Sequence, residues 1–167
     1  MHLTDRQIEI LAHLMDDQGH PLWEISQTLG YDEGYLSKKI KEMKDWRLIY
    51  HAEAKSSRYR TRSPNMPEKR LFINKEYNIL LEIREQVVNR IEHHKPLAER
   101  DRHFGLQNSY GENIPTQHQI LRNTFEMFSR WLDETIQEAR AARRDRVKRL
   151  DPCPLTLAEM QALLWDY

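Results

Sequence analysis

The sequence predicts a mainly α protein with a small β element: three short helices and a two-stranded ribbon in the N-terminal half, then long helices. Three observations predict it. Apolar residues recur at helical spacing through most of the chain. Glycine is scarce, five in 167 residues, which argues against a phosphate-cradling α/β fold. The composition, 39% apolar and 31% charged, suits helices with much solvated surface better than a deep-cored enzyme.

Helix one opens at Thr4, an N-cap with Gln7 three residues on, and carries Ile8, Leu11, Leu14 and Met15 on one face. Asp16-Asp17-Gln18-Gly19 stops it. Pro21 suits the first turn of a short second helix with Leu22, Ile25 and Leu29, which ends at Gly30, a residue fitted to a left-handed C-cap. Asp32 caps helix three, whose Leu36, Ile40 and Met43 follow the i, i+4, i+7 rule, while Gly34, Lys38 and Lys41 take the opposite face. After Trp46 the period changes. Leu48-Ile49-Tyr50 and Arg70-Leu71-Phe72-Ile73 read as two strands of a hairpin with a long polar tip. In that tip Arg58, Arg60 and Arg62 alternate with Tyr59 and Thr61, so an extended backbone aims three guanidiniums to one side.

The helical period returns from Asn74, with a stripe from Tyr77 through Leu80, Ile83 and Val87 to Ile91, and Pro96 is expected to close that helix. A polar stretch follows, a loop near 95–115. Pro115 and the Thr116 to Gln119 capping box start a long helix with the stripe Leu121, Phe125, Phe128, Trp131, Leu132, Ile136 and Ala139. Pro152 and Pro154 interrupt before a last short helix from Thr156. The division expected is 1–75 and 76–167.

Net charge is zero overall but uneven: residues 1–37 hold one base against seven acids, and residues 38–75 hold twelve bases against four. A basic block beside an acidic one is expected where one face meets phosphate. The single cysteine, Cys153, excludes an internal disulfide and a cysteine-built metal cage, and no apolar run reaches the ~20 residues that span a bilayer. A cytoplasmic protein is expected, with no enzymatic function, since Cys153 lies between two prolines with no nearby base and no Ser, His and Asp spacing suggests a nucleophile. His93, His94 and His103 invite a metal reading, but neighbouring side chains on a helix diverge by about 100°, so no metal and no cofactor is expected. Tyr77, Phe125, Phe128 and Trp131 are better suited to core packing than to a ligand pocket, although a small-molecule effector is compatible with them.

Three helices and then a ribbon is the order of a winged helix-turn-helix, and residues 4–75 resemble winged-helix transcription regulators of the multiple-antibiotic-resistance and arsenical-resistance type. The resemblance rests on Leu3-Thr4 with Gln7-Ile8-Glu9-Ile10-Leu11, on Trp23 to Asp32, on Leu36-Ser37-Lys38-Lys39-Ile40, and on Met43 with Leu48-Ile49. Arg47 stands where such families usually have glycine, so helix three is expected to end differently. The resemblance implies N-terminal winged helix-turn-helix followed by C-terminal long helices, and sequence-specific binding of double-stranded DNA by a homodimeric transcriptional regulator. Helix 33–45 enters the major groove and wing 54–69 lies near the minor groove. The DNA-binding residues expected are Tyr35, Ser37, Lys38 and Lys41 on the helix, with Arg58, Arg60 and Arg62 on the wing. The stripes on 77–91 and 120–139 are read as dimerisation helices, against the alternative that they pack on their own chain. The competing function is a winged-helix protein-interaction or assembly module without specific DNA binding; a positive face broken by Glu33, Glu42 and Asp45 favours it.

Overall fold

A computed structural model of the protein describes residues 2–54, 68–103 and 115–149. It contains α1 (Asp5–His13), α2 (Leu22–Leu29), α3 (Glu33–Asp45), β1 (Ile49–Ala54), β2 (Glu68–Ile73), α4 (Tyr77–His103) and α5 (Gln117–Arg149). The fold is mainly helical with one two-stranded antiparallel sheet.

The helix ends follow from side-chain chemistry. Thr4 accepts the Gln7 amide N–H, and Gln7 Oε1 accepts from the Thr4 backbone at 3.0 Å, closing a capping box over α1. Pro21 sits one place earlier than expected, as the N-cap of α2 rather than in its first turn. Gly30 takes φ 69° at the other end, as a left-handed cap requires. Asp32 Oδ1 accepts from Gly34 N at 2.9 Å and Tyr35 N at 3.1 Å, which fixes where α3 begins.

The end of α3 departs from expectation. Arg47 adopts φ 59° although it is not glycine. Arg47 N–H bonds Lys44 O at 2.8 Å and Leu48 N–H bonds Met43 O at 2.9 Å, the two bonds of a Schellman motif. Its hydrophobic contact is in place, since Met43 and Leu48 are both buried. Asn74 holds the turn from outside, with Nδ2 donating to Arg47 O at 2.9 Å and its backbone N–H to Leu48 O at 2.8 Å. Side-chain burial and these bonds offset the ~1 kcal/mol that a left-handed non-glycine residue costs.

In the ribbon Ile49 pairs with Ile73, Tyr50 with Phe72, and the register continues to Ala54 with Glu68. Ile49, Leu71 and Ile73 point into the core. A third segment joins at the base: His20 and Leu71 exchange backbone hydrogen bonds of 3.2 and 2.9 Å. Gly19, at φ 68°, makes this approach possible, because a Cβ there would overlap the Phe72 ring.

One apolar cluster joins both halves of the chain. Ile8 and Leu11 of α1, Ile25 of α2 and Leu36, Ile40 and Met43 of α3 share it with Leu80, Ile83 and Val87 of α4 and Leu121, Phe125, Phe128, Leu132 and Ile136 of α5. Arg84 meets Asp133 and His94 meets His118, so α4 and α5 run antiparallel. The two apolar stripes thus cover one another within the chain. Each fully buried phenylalanine of α5 contributes about 1.5–3 kcal/mol. α4 does not close at Pro96 but runs through it to His103. Ala98, beyond the proline, is buried, so packing continues to reward the helix where one backbone bond is lost. Among the described residues no helix is long and apolar enough to cross a membrane.

Candidate nucleic-acid interface

α3 is anchored along one edge and free along the other. With Leu36, Ile40 and Met43 inward, the 3.6-residue period turns Gly34, Lys38, Lys41 and Asp45 outward. Tyr35, Ser37, Lys38 and Lys41 are all exposed. They span the solvent arc, with Ser37 and Tyr35 at its two margins. Tyr35 rests edge-on against Tyr31 at 5.9 Å, and the Tyr31 hydroxyl donates to Glu9 at 2.6 Å and takes a bond from Arg6. Burial holds the Glu9 carboxyl above its ordinary range, with Arg6 opposing. Tyr35 is thereby propped by α1 and the turn before α3.

The cations of α3 divide into two groups. Lys39 Nζ donates to Glu42 at 2.8 Å, a bond that raises its pKa, and Gln7 Nε2 reaches the same carboxylate at 3.2 Å. Glu42 is therefore engaged toward α1. Among the described residues Lys38 and Lys41 have no carboxylate partner. Asp45 stays exposed at the foot of their strip.

The ribbon adds charge that sequence reasoning missed. His51 stands two residues from Ile49 on the sheet face that looks toward α3, and Lys44 Nζ lies 2.9 Å from its Nδ1. Lys69 shares that face. Burial, then Lys44 and Lys69, holds the His51 imidazole below its ordinary pKa. Arg58, Arg60 and Arg62, expected on a wing, lie outside the described residues.

Two histidine clusters serve the scaffold. His94 is 2% exposed, with Nδ1 3.0 Å from His118 Nδ1 and Nε2 3.1 Å from Asp5. It joins α1, α4 and α5 beside Phe125, while His93 is exposed. His20 Nε2 lies 2.8 Å from Asp16 and its Nδ1 3.2 Å from Glu24, with the His13 ring 4.6 Å away. Among the described residues no group of three or more histidines, cysteines or carboxylates is arranged to hold a metal.

On the far face of the sheet an open groove of about 1100 Å³ is lined by Tyr50, Phe72, Lys75, Tyr77, Thr135 and Arg143, among others. Phe125 and Phe128 are core residues, and Trp131 stacks on Phe128 beneath Lys75. Of Tyr77, Phe125, Phe128 and Trp131, Tyr77 alone lines this groove. No known protein family, no curated protein and no solved structure matches the chain.

Proposed function

We propose that the protein binds double-stranded DNA through a winged helix-turn-helix built from α1 to β2, and acts as a dimeric transcriptional regulator. α3, residues 33–45, enters the major groove and the 54–69 wing runs near the minor groove. The observation that carries this reading is α3 itself. Its inner edge is locked into the core and its cap is fixed by Asp32, while exposed Ser37, Lys38 and Lys41 stand with no carboxylate partner among the described residues. Short and flexible polar groups on a rigid helix are what reading base edges and gripping phosphate require. The short turn between α2 and α3, and the backbone bridge from His20 to the ribbon, support the same architecture.

Salt-titrated fluorescence anisotropy with genomic duplex fragments tests it. Binding with a steep salt slope is expected, and Lys38→Ala with Lys41→Ala weakens it. Failure to bind duplex at low salt overturns the reading. A two-fold site calls for two copies of the chain. Since the stripes on α4 and α5 pack against each other, that contact falls to other surface, and Ile120 and Met127 are 52% and 56% exposed on α5. Sedimentation equilibrium reads the stoichiometry. Asp45, exposed beside the lysines, favours the competing reading of a protein-binding surface. On that reading Asp45→Asn leaves duplex affinity unchanged, whereas a DNA-facing Asp45 gives tighter binding when neutralised.

A further inference from the structure

Beside the outward strip of α3, three basic side chains converge from three elements: Lys44 from the last turn of α3, His51 from β1 and Lys69 from β2. An ammonium group only donates, so the 2.9 Å contact between Lys44 Nζ and His51 Nδ1 requires His51 to accept there. The imidazole is therefore neutral, with its proton on Nε2. Glu53 shares this sheet face, but it is the cross-strand partner of Lys69. Lys41 lies one turn before Lys44 on α3 and adds a further positive charge. An anion is the group the cluster lacks. With one between them, Lys44 Nζ and a protonated His51 both donate to it, and each bond is charge-assisted.

We infer that Lys44 and His51 form a backbone-phosphate subsite of the DNA-contacting face, and that His51 takes up one proton when the phosphate binds. This rests on the reading of the chain as a duplex-binding protein. The linkage has a definite sign. The free imidazole titrates below its ordinary range, because burial and two lysines disfavour its charge. A bound phosphate favours that charge and raises the value. Affinity is accordingly flat at high pH, rises as pH falls through the bound-state value, and levels off below the free-state value.

The test measures duplex affinity from pH 8 to 5.5 at fixed ionic strength for the wild type, His51→Gln and Lys44→Ala, and follows the His51 ring resonance by NMR with and without duplex. The wild type is expected to gain about tenfold per pH unit at most in the titrating window, and His51→Gln to match it at pH 8 but lose the gain. Lys44→Ala lowers the salt slope by about one. In the complex the His51 resonance titrates at higher pH than in the free protein. If the wild type binds duplex, depends on Lys38 and Lys41, and keeps its full pH dependence in His51→Gln, this subsite is overturned while DNA binding stands. If the wild type binds no duplex at any pH, the DNA reading falls and takes the subsite with it. A His51 shift with inorganic phosphate but none with duplex assigns the site to a free anion and also overturns the proposal.

Discussion

The junction of α1, α4 and α5 and the outer face of α3 use the same residue types to opposite ends. At the junction, charge is matched inside the chain. Arg90 donates to Leu3 O at 3.1 Å and lies 3.5 Å from Asp5, and Arg84 of α4 meets Asp133 of α5. On α3, Lys38 and Lys41 have no such partner among the described residues, and Lys44 points its ammonium at another base. A cation with its counter-charge in the fold orients helices. One without it is available to a partner from outside.

The contrast is sharpest where the junction is most buried. Phe125→Ala, in the α5 stripe, is expected to cost about 3–5 kcal/mol in a urea melt and, under the proposed function, to leave the duplex affinity of the folded fraction unchanged. Arg90→Met removes the bonds to Leu3 O and the contact with Asp5, and is expected to cost about 1–3 kcal/mol by the same measurement. Arg47→Gly acts with the opposite sign. It relieves the left-handed backbone at the end of α3 and is expected to raise stability by up to about 1 kcal/mol in the same urea melt.

A smaller effect is read from pH. Burial first, and then the neighbouring His20, hold the His13 imidazole below its ordinary value. A histidine depressed in the folded state binds its proton more readily when unfolded, so its contribution is present above about pH 6.5 and is lost as pH falls toward the folded value. Thermal melts from pH 7.5 to 5 are expected to show a falling Tm, with a shallower fall in His13→Gln. Least of all in stability, Lys38→Ala with Lys41→Ala should move the melt by no more than about 0.5 kcal/mol while, under the proposed function, taking about two from the salt slope of duplex binding. A melt that drops with these lysines would erase the distinction between the two regions.

Local rules carried the sequence reading a long way. Thr4, Gly30, Asp32 and Thr116 place helix boundaries because each cap acts over two or three residues. The stripes of α3 and α5 follow from a period that needs no tertiary knowledge. What escaped depends on residues far apart in the chain. The His20 and Leu71 bridge spans a separation that no pattern records, and the Lys44 and His51 contact needs both the strand register and the angle at which α3 meets the sheet. The local cost of Pro96 points to a helix end, whereas burial of Ala98 beyond it goes with an α4 that continues to His103. The support Asn74 gives to Arg47 comes from 27 residues further along the chain, where no local rule looks.

Asn74 has a mechanical role. By gripping Arg47 O and Leu48 O it rivets the exit of α3 to the root of α4, three residues before that helix starts. Lys75, next in the chain, is tied to Asp17 at 2.6 Å, so the rivet is itself braced against the turn after α1. The exit of α3 and the root of α4 are therefore held at a fixed spacing at this one point. The outward lysines of α3 thus sit on a helix whose exit is tied to the root of α4 by two hydrogen bonds as well as by the shared core.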